Sequence, residues 1–309
     1  MNGLEILDVC IEVYHRDFNT LYSAFTTDFA RRYLPRLSST SNCSSPVATI
    51  YWLEGKGFEV LSTSFSSDRN DLYIVQGEPP SPYINESPVF FLLQVLARGL
   101  AKKGYVMLTD SISIGLPGRN ILILGYPHTG KSTITTLAVA KGFKVYSTEN
   151  TILGVDEGSL RILGGSRVLV YDPKVKELFN IHLEPTSRTK HGYEVVDLEE
   201  KVIIDLDENI VDEIYIVYSS FSSRGFSGQQ VKGRKVEKTL WVFATSLLKG
   251  LDYYAPRPLD TPLDQTVTKT LEKFIEVVKS KYNGRFYEVF GSPVEIIEGI
   301  VENKLECSS

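Results

Sequence analysis

Cysteine and histidine are scarce, at three and four in 309 residues. Cys10, Cys43 and Cys307 lie far apart with no metal-ligand spacing, and an odd, sparse set reads as reduced thiols of a cytosolic protein. His15, His128, His182 and His191 are scattered and form no metal set. Long apolar runs are missing too. The longest mainly apolar stretch, Val89 to Ala97, falls far short of the roughly 20 residues that a spanning helix requires. The opening residues Met1 to Asp8 hold two acids and no basic residue, so they do not read as a secretory signal. Strong charge is absent as well: a net charge of −5 argues against a nucleic-acid coat or a binder of anionic membranes. What is left is a soluble, cytoplasmic, globular chain, long enough for one large or two modest domains.

Within that chain one stretch carries chemistry. Gly125-Tyr126-Pro127-His128-Thr129-Gly130-Lys131-Ser132-Thr133 fits the pattern G-x-x-x-x-G-K-[ST]. An apolar strand, Ile121 to Leu124, runs into it and a helical pattern, Thr133 to Lys141, runs out, which is the context the motif requires. Glycines there let backbone N–H groups turn onto phosphate oxygens, and the helix adds its positive N-terminal end. Lys131 reaches the outer phosphates and the Ser132 hydroxyl ligates Mg²⁺. The expected ligand is a nucleoside triphosphate, ATP, with Mg²⁺.

Around the loop the pattern is a mixture of strands and helices, an α/β domain. Before it, alternation predicts a strand over Gly3–Tyr14, a helix over Thr20–Tyr33, and short strands of an antiparallel layer at 48–53, 57–63 and 71–75. Pro79, Pro80 and Pro82 make 77–86 a linker, dividing an N-terminal α+β region, 1–86, from a second domain, 87–309. Beyond the loop, strands are expected at 143–146, 161–163, 167–171, 201–205, 213–218 and 286–290. Helices are expected at 89–102, 236–251, 263–282 and 293–303, and the Phe274–Tyr282 aromatics read as core. The Ser/Gly-rich, basic segment 219–238 reads as a mobile loop.

From about Ser87 onward the chain resembles the HPr serine kinase family and its relatives, which share a nucleotide-binding core with phosphoenolpyruvate carboxykinase. Three features carry the resemblance. A strand pair joined by Leu116-Pro117-Gly118-Arg119-Asn120 directly precedes the loop. A short helix ends at Lys141-Gly142-Phe143-Lys144-Val145. The chain closes with Tyr287-Glu288-Val289-Phe290-Gly291-Ser292-Pro293 through Leu305. The resemblance implies a phosphate-loop core of that type and ATP-dependent kinase activity. It also implies two adjacent aspartates after the turn, which here fall on Thr148 and Glu149. Glu149 still suits Mg²⁺, but a neutral Thr148 hydroxyl takes no proton near pH 7. The family's strand histidine aligns with Asp110, so Asp110 is the candidate for the missing charge, as general base or water-mediated metal ligand.

Phosphoryl transfer depends mainly on positioning and charge neutralisation, with a carboxylate to orient the accepting hydroxyl. The candidate catalytic residues are therefore Asp110, Glu149 and Lys131, with Ser132 and Glu149 for the metal. Asp205, closing Val202-Ile203-Ile204-Asp205, competes as a metal-strand acid. Arg224, Lys232, Arg234 and Lys235 are candidates for a cationic lid over the phosphates. Arg167 reads better as the partner of a structural acid. The leading function is a kinase acting on a hydroxyl of a small molecule or of a protein Ser/Thr. A nucleotide-gated ATPase or switch is the alternative, and a carboxykinase ranks last. Residues 1–86 are open to substrate recognition or self-association, and the acceptor is not encoded in any spacing.

Overall fold

Alternating apolar residues at Val9, Ile11 and Val13 commit the start of the chain to a buried sheet face. The computed structural model describes residues 2–156, 158–199, 209–250 and 258–305. The chain divides into two compact units, Met1–Met107 with Ala244–Phe274, and Leu108–Phe243 with Ile275–Ser309. The division does not follow a single cut after residue 86. The helix beginning at Ser87 belongs to the first unit, and a later stretch of chain returns to it.

In the first unit, β1 (Asn2–Ile6) and β2 (Val9–Tyr14) form a hairpin in place of one long strand. The single helix expected over 20–33 is two, α1 (Phe18–Phe25) and α2 (Asp28–Tyr33). The cause is Thr27, whose side chain accepts from the Ala30 N–H and restarts the helix as its N-cap. Then come β3 (Ser38–Thr40), β4 (Ala48–Leu53), β5 (Phe58–Ser64) and β6 (Asp71–Gly77). The sheet order is β3-β1-β2-β4-β6-β5. It is mixed, not the antiparallel layer expected: β2, β4 and β6 run parallel. Helix α3 (Ser87–Lys102) packs Phe91 against Trp52 and Tyr73 on the buried face.

Segment 244–274 is tied in by polar groups of α3. The Gln94 amide donates to the carbonyls of Leu247 and Leu259 and accepts from the Leu259 N–H. Arg98, fully buried, pairs with Asp71 at 2.7 Å and with Asp264 at 2.5 Å. Burial alone would raise the Asp264 carboxyl, but the Arg98 hydrogen bond and the N–H donors of Val267 and Thr266 hold it below its ordinary value.

Cys10 and Cys43 are joined by a disulfide, which corrects the expectation of reduced thiols at those positions. They are 33 residues apart in sequence, yet both lie against Gly3 of β1: a Cβ there would meet Cys10 Sγ at 3.0 Å and Cys43 Cβ at 3.3 Å. Cys307 lies outside the described residues. Among the described residues no helix is long and apolar enough to cross a membrane.

After β7 (Tyr105–Leu108), the second unit opens with β8 (Ser111–Leu116), β9 (Arg119–Leu124), α4 (Lys131–Ala140) and β10 (Lys144–Ser147). A hairpin of β11 (Thr151–Val155) and β12 (Leu160–Gly165) follows. Next come β13 (Val168–Tyr171), α5 (Lys174–Phe179), β14 (Ser187–Arg188) and β15 (Glu194–Asp197). The chain ends with β16 (Glu213–Ser219), β17 (Ser227–Gln230), α6 (Arg234–Lys249), α7 (Gln265–Lys281), β18 (Phe286–Gly291) and α8 (Pro293–Val301).

The six-stranded sheet has the order β10-β8-β9-β16-β18-β17, with β9, β16 and β18 parallel. Because β8 is antiparallel to both β9 and β10, β10 runs with β9. The carboxyl ends of β9, β10, β16 and β18 thus share one edge. Ile121 to Leu124 are all fully buried, as central parallel strands require. One face packs Ile121, Ile123 and Val217 on Ile134 and Leu137 of α4 and Ile296 and Ile297 of α8. Ser292 and Glu295 cap α8 reciprocally, which anchors it at the edge where β18 ends.

Segment 219–238 is not an unstructured loop. β17 pairs antiparallel with β18, and α6 begins within the segment. Ser227-Gly228-Gln229-Gln230 lacks apolar alternation, so only its backbone pairing makes it a strand. The expected strand 201–205, including Asp205, lies outside the described residues.

Candidate functional site

Gly125–Thr133 connects the carboxyl end of β9 to the first turn of α4, at the edge where four strands end. Tyr126 to Thr129 close a tight turn, with the Thr129 N–H and hydroxyl both donating to the Tyr126 carbonyl. His128 sits in it with φ 64°, its side chain exposed. Gly130 is the N-cap of α4 with φ 83°, and a Cβ there would fall 2.0 Å from Ser219 Oγ. Both requirements, a left-handed backbone and room for Ser219, select glycine. Gly125 is equally confined: a Cβ would meet Thr129 Oγ1 at 2.4 Å.

Lys131 is buried and folds back into the loop. Its ammonium donates to Asp110 Oδ1 at 2.8 Å, the Gly125 carbonyl at 2.6 Å and the Tyr126 carbonyl at 3.1 Å. Those three acceptors match its three N–H donors. Asp110, just before β8, has φ 52°, and its carbonyl accepts from the Gly125 N–H. Pro127 and Ser132 are half-buried and Thr133 is buried.

Glu149, just past the end of β10, belongs to the same edge. Its carbonyl accepts from the N–H of Ser111, the neighbour of Asp110. The Ser166 hydroxyl receives the N–H groups of Glu149 and Asn150. Thr148 is buried, its hydroxyl directed to the carbonyls of Ser166 and Val168, so it is a structural residue. Asp110 and Lys131 are therefore in direct contact, and Glu149 is linked to them through the backbone of Ser111.

A feature that sequence reasoning missed underpins these acids. Ser113, Ser147, Thr151 and Ser111 form an unbroken chain of buried hydroxyl contacts of 2.6–2.9 Å across β8, β10 and β11. The individual Ser and Thr residues carry no sequence signal, because their partners come from different strands.

Other candidates lie elsewhere. Arg167 pairs with Glu199, as expected of a structural arginine. Lys235 bonds Glu288 at 2.5 Å on β18, and Arg224, Lys232 and Arg234 are exposed. Burial would raise the Glu288 carboxyl, but the Lys235 and Gln229 hydrogen bonds hold it low. A cavity of about 700 Å³ opens at the β8–β9 turn, lined by Arg119, Asn120, Lys144 and Tyr146 among others. It lies at the opposite end of β9 from the loop and does not include the candidate residues. Among the described residues no group of three or more His, Cys, Asp or Glu is placed to hold a metal ion.

In comparison with known proteins, the chain matches no family model and none of the curated proteins.

Proposed function

We propose that the protein is an Mg²⁺-assisted, ATP-dependent phosphotransferase, a divergent relative of the HPr serine kinase and phosphoenolpyruvate carboxykinase type. It would pass the γ-phosphate of ATP to a hydroxyl of a small molecule or of a protein Ser/Thr. The observation that carries the reading is the Lys131–Asp110 contact at 2.8 Å inside the Gly125–Thr133 loop, at the carboxyl edge of a parallel sheet. Ligands of open α/β sheets bind at that edge.

On this reading Lys131 leaves Asp110 and its two carbonyl partners for phosphate oxygens, and loop N–H groups with the α4 N-terminus hold the rest of the triphosphate. The acceptor oxygen attacks the γ-phosphorus, the bond to the β–γ bridging oxygen breaks, and ADP leaves with that electron pair. Asp110 takes the acceptor's proton. Mg²⁺ keeps several waters and needs only one or two carboxylates beside the phosphates. The oxygen donors Ser132 and Glu149 fit that demand, and the ion would neutralise charge on the β- and γ-phosphates.

A cytoplasmic location goes with this use of ATP; a disulfide in that compartment is the habit of hyperthermophilic cells. The test is ADP release from MgATP with and without a pool of cell metabolites, followed by acceptors that gain the mass of one phosphate. Acceptor-dependent release that disappears in Lys131→Ala supports the kinase. Acceptor-independent turnover untouched by Asp110→Asn refutes it in favour of a nucleotide-driven ATPase.

A further inference from the structure

Two large aromatic side chains stand exposed at the edge that carries the loop. Tyr218, near the end of β16, is 37% exposed and Phe290, near the end of β18, is 47% exposed. They are register partners on adjacent parallel strands, about 4.8 Å apart along the hydrogen-bonding direction. Both point away from the face packed on α4 and α8, since Val217 and Val289 occupy that one. The Tyr218 hydroxyl donates to Glu288 at 3.4 Å, and Lys235 and Gln229 fix the same carboxylate from the other side. The loop's own Tyr126 adds a third ring, tilted against Phe243 at 5.2 Å. Burial, then the neighbouring Glu288 and Tyr126, push the Tyr218 phenol up, which agrees with its closeness to the loop.

Position along the sheet decides what this surface receives. In the order β10-β8-β9-β16-β18, Asp110 and Glu149 stand on the β8 and β10 side of the loop. Tyr218 and Phe290 stand on the other side, where Val217 reaches Gly125 and Ser219 reaches Gly130. In a transfer with attacking and leaving oxygens in line, the acceptor and the nucleoside diphosphate leave the γ-phosphorus in opposite directions. We propose that Tyr218 and Phe290 form the stacking platform for the nucleobase, so that the nucleotide runs from the acids across the loop to the β16 and β18 ends. This assignment rests on the nucleotide reading of the loop. A flat π-face suits exposed aromatic rings, and such stacking is sequence-tolerant in other nucleotide sites.

Calorimetry with two probes, MgATP and magnesium tripolyphosphate, separates the platform from the loop. The Tyr218→Ala/Phe290→Ala double variant should bind MgATP at least about tenfold more weakly and tripolyphosphate as the wild type does. Tyr218→Phe keeps the ring and should keep MgATP affinity. Equal weakening for both probes, or none for either, overturns the platform while leaving the loop's role standing. A raised acceptor KM with unchanged MgATP binding assigns the rings to the acceptor and overturns it too. Wild-type protein that binds neither probe overturns the nucleotide reading itself.

Discussion

Asp110→Asn tests whether the ion pair inside the loop is a lock on the proposed nucleotide site. A charge-assisted hydrogen bond contributes about 1.5–3 kcal/mol. Asp110 is 24% exposed, so solvent screening reduces that to about 1–2 kcal/mol. If triphosphate must draw Lys131 away from this carboxylate, its removal tightens MgATP binding by that amount, about 5- to 30-fold. The amide still leaves Lys131 its carbonyl partners at Gly125 and Tyr126, so the loop should keep its shape. Turnover moves the other way: losing a general base costs about 10²- to 10⁴-fold. Calorimetry gives the affinity and acceptor-dependent ADP release gives the rate. Tighter binding with slower turnover is the expected pair. Weaker binding would mean that the carboxylate holds the metal–nucleotide complex, and an unchanged rate would remove Asp110 from the chemistry; either refutes the reasoning.

Gly130→Ala should abolish MgATP binding, because a Cβ there collides with Ser219 Oγ and the residue has φ 83°. Gly118→Ala, with a similar φ but open space around it, should lose only about 1–2 kcal/mol in urea unfolding and keep binding. Arg98→Met takes the buried guanidinium from Asp71, which keeps Lys102 at 3.3 Å and the Ser66 N–H, and also from Asp264, and should cost up to about 3–5 kcal/mol by the same assay. Reducing the Cys10–Cys43 bond, separated by 33 residues, should cost about 3.7 kcal/mol by the chain-entropy model, and a reductant should have no further effect on Cys10→Ser. Burial alone would raise the Glu194 carboxyl, but hydrogen bonds from Lys176, Tyr171 and Arg188 hold it below its ordinary value, as Arg98 does for Asp264. Their stabilisation is complete above the unfolded-state value of about 4 and is lost as pH falls through the lower folded values. Thermal melts should therefore fall steeply only in acid, with a shallower slope in Glu194→Gln.

Local pattern made the strands and helices around the loop readable. Ile121–Leu124 is apolar on both faces because the strand is central, and Gly142 follows α4 with φ 79° as a helix stop. What stayed hidden was set by partners distant in the chain. β2, β4 and β6 look the same in sequence whether they pair parallel or antiparallel. Cys10 and Cys43 meet only through the sheet that β1 completes. The Ser227–Gln230 strand has no apolar signal, since backbone pairing and the Gln229 side-chain bond to Glu288 join it to β18. Segment 244–274 joins the first unit through Gln94, Arg98 and Ala101, contacts spanning more than 150 residues.

The candidate acids show the same limit in one place. Asp110 and Glu149 are 39 positions apart, and neither sits in a motif of its own. The lysine-bearing loop could be read because its chemistry is contiguous: nine residues supply the turn, the cation and the helix start. A carboxylate pair contributed by two strand ends has no such run. It exists only because Ser111 donates to the Glu149 carbonyl while Gly125 donates to that of Asp110. Those two backbone bonds place both residues beside the loop, and Lys131 adds its 2.8 Å side-chain contact to Asp110. The arrangement is thus written in pairings between strands, which no single run of sequence displays.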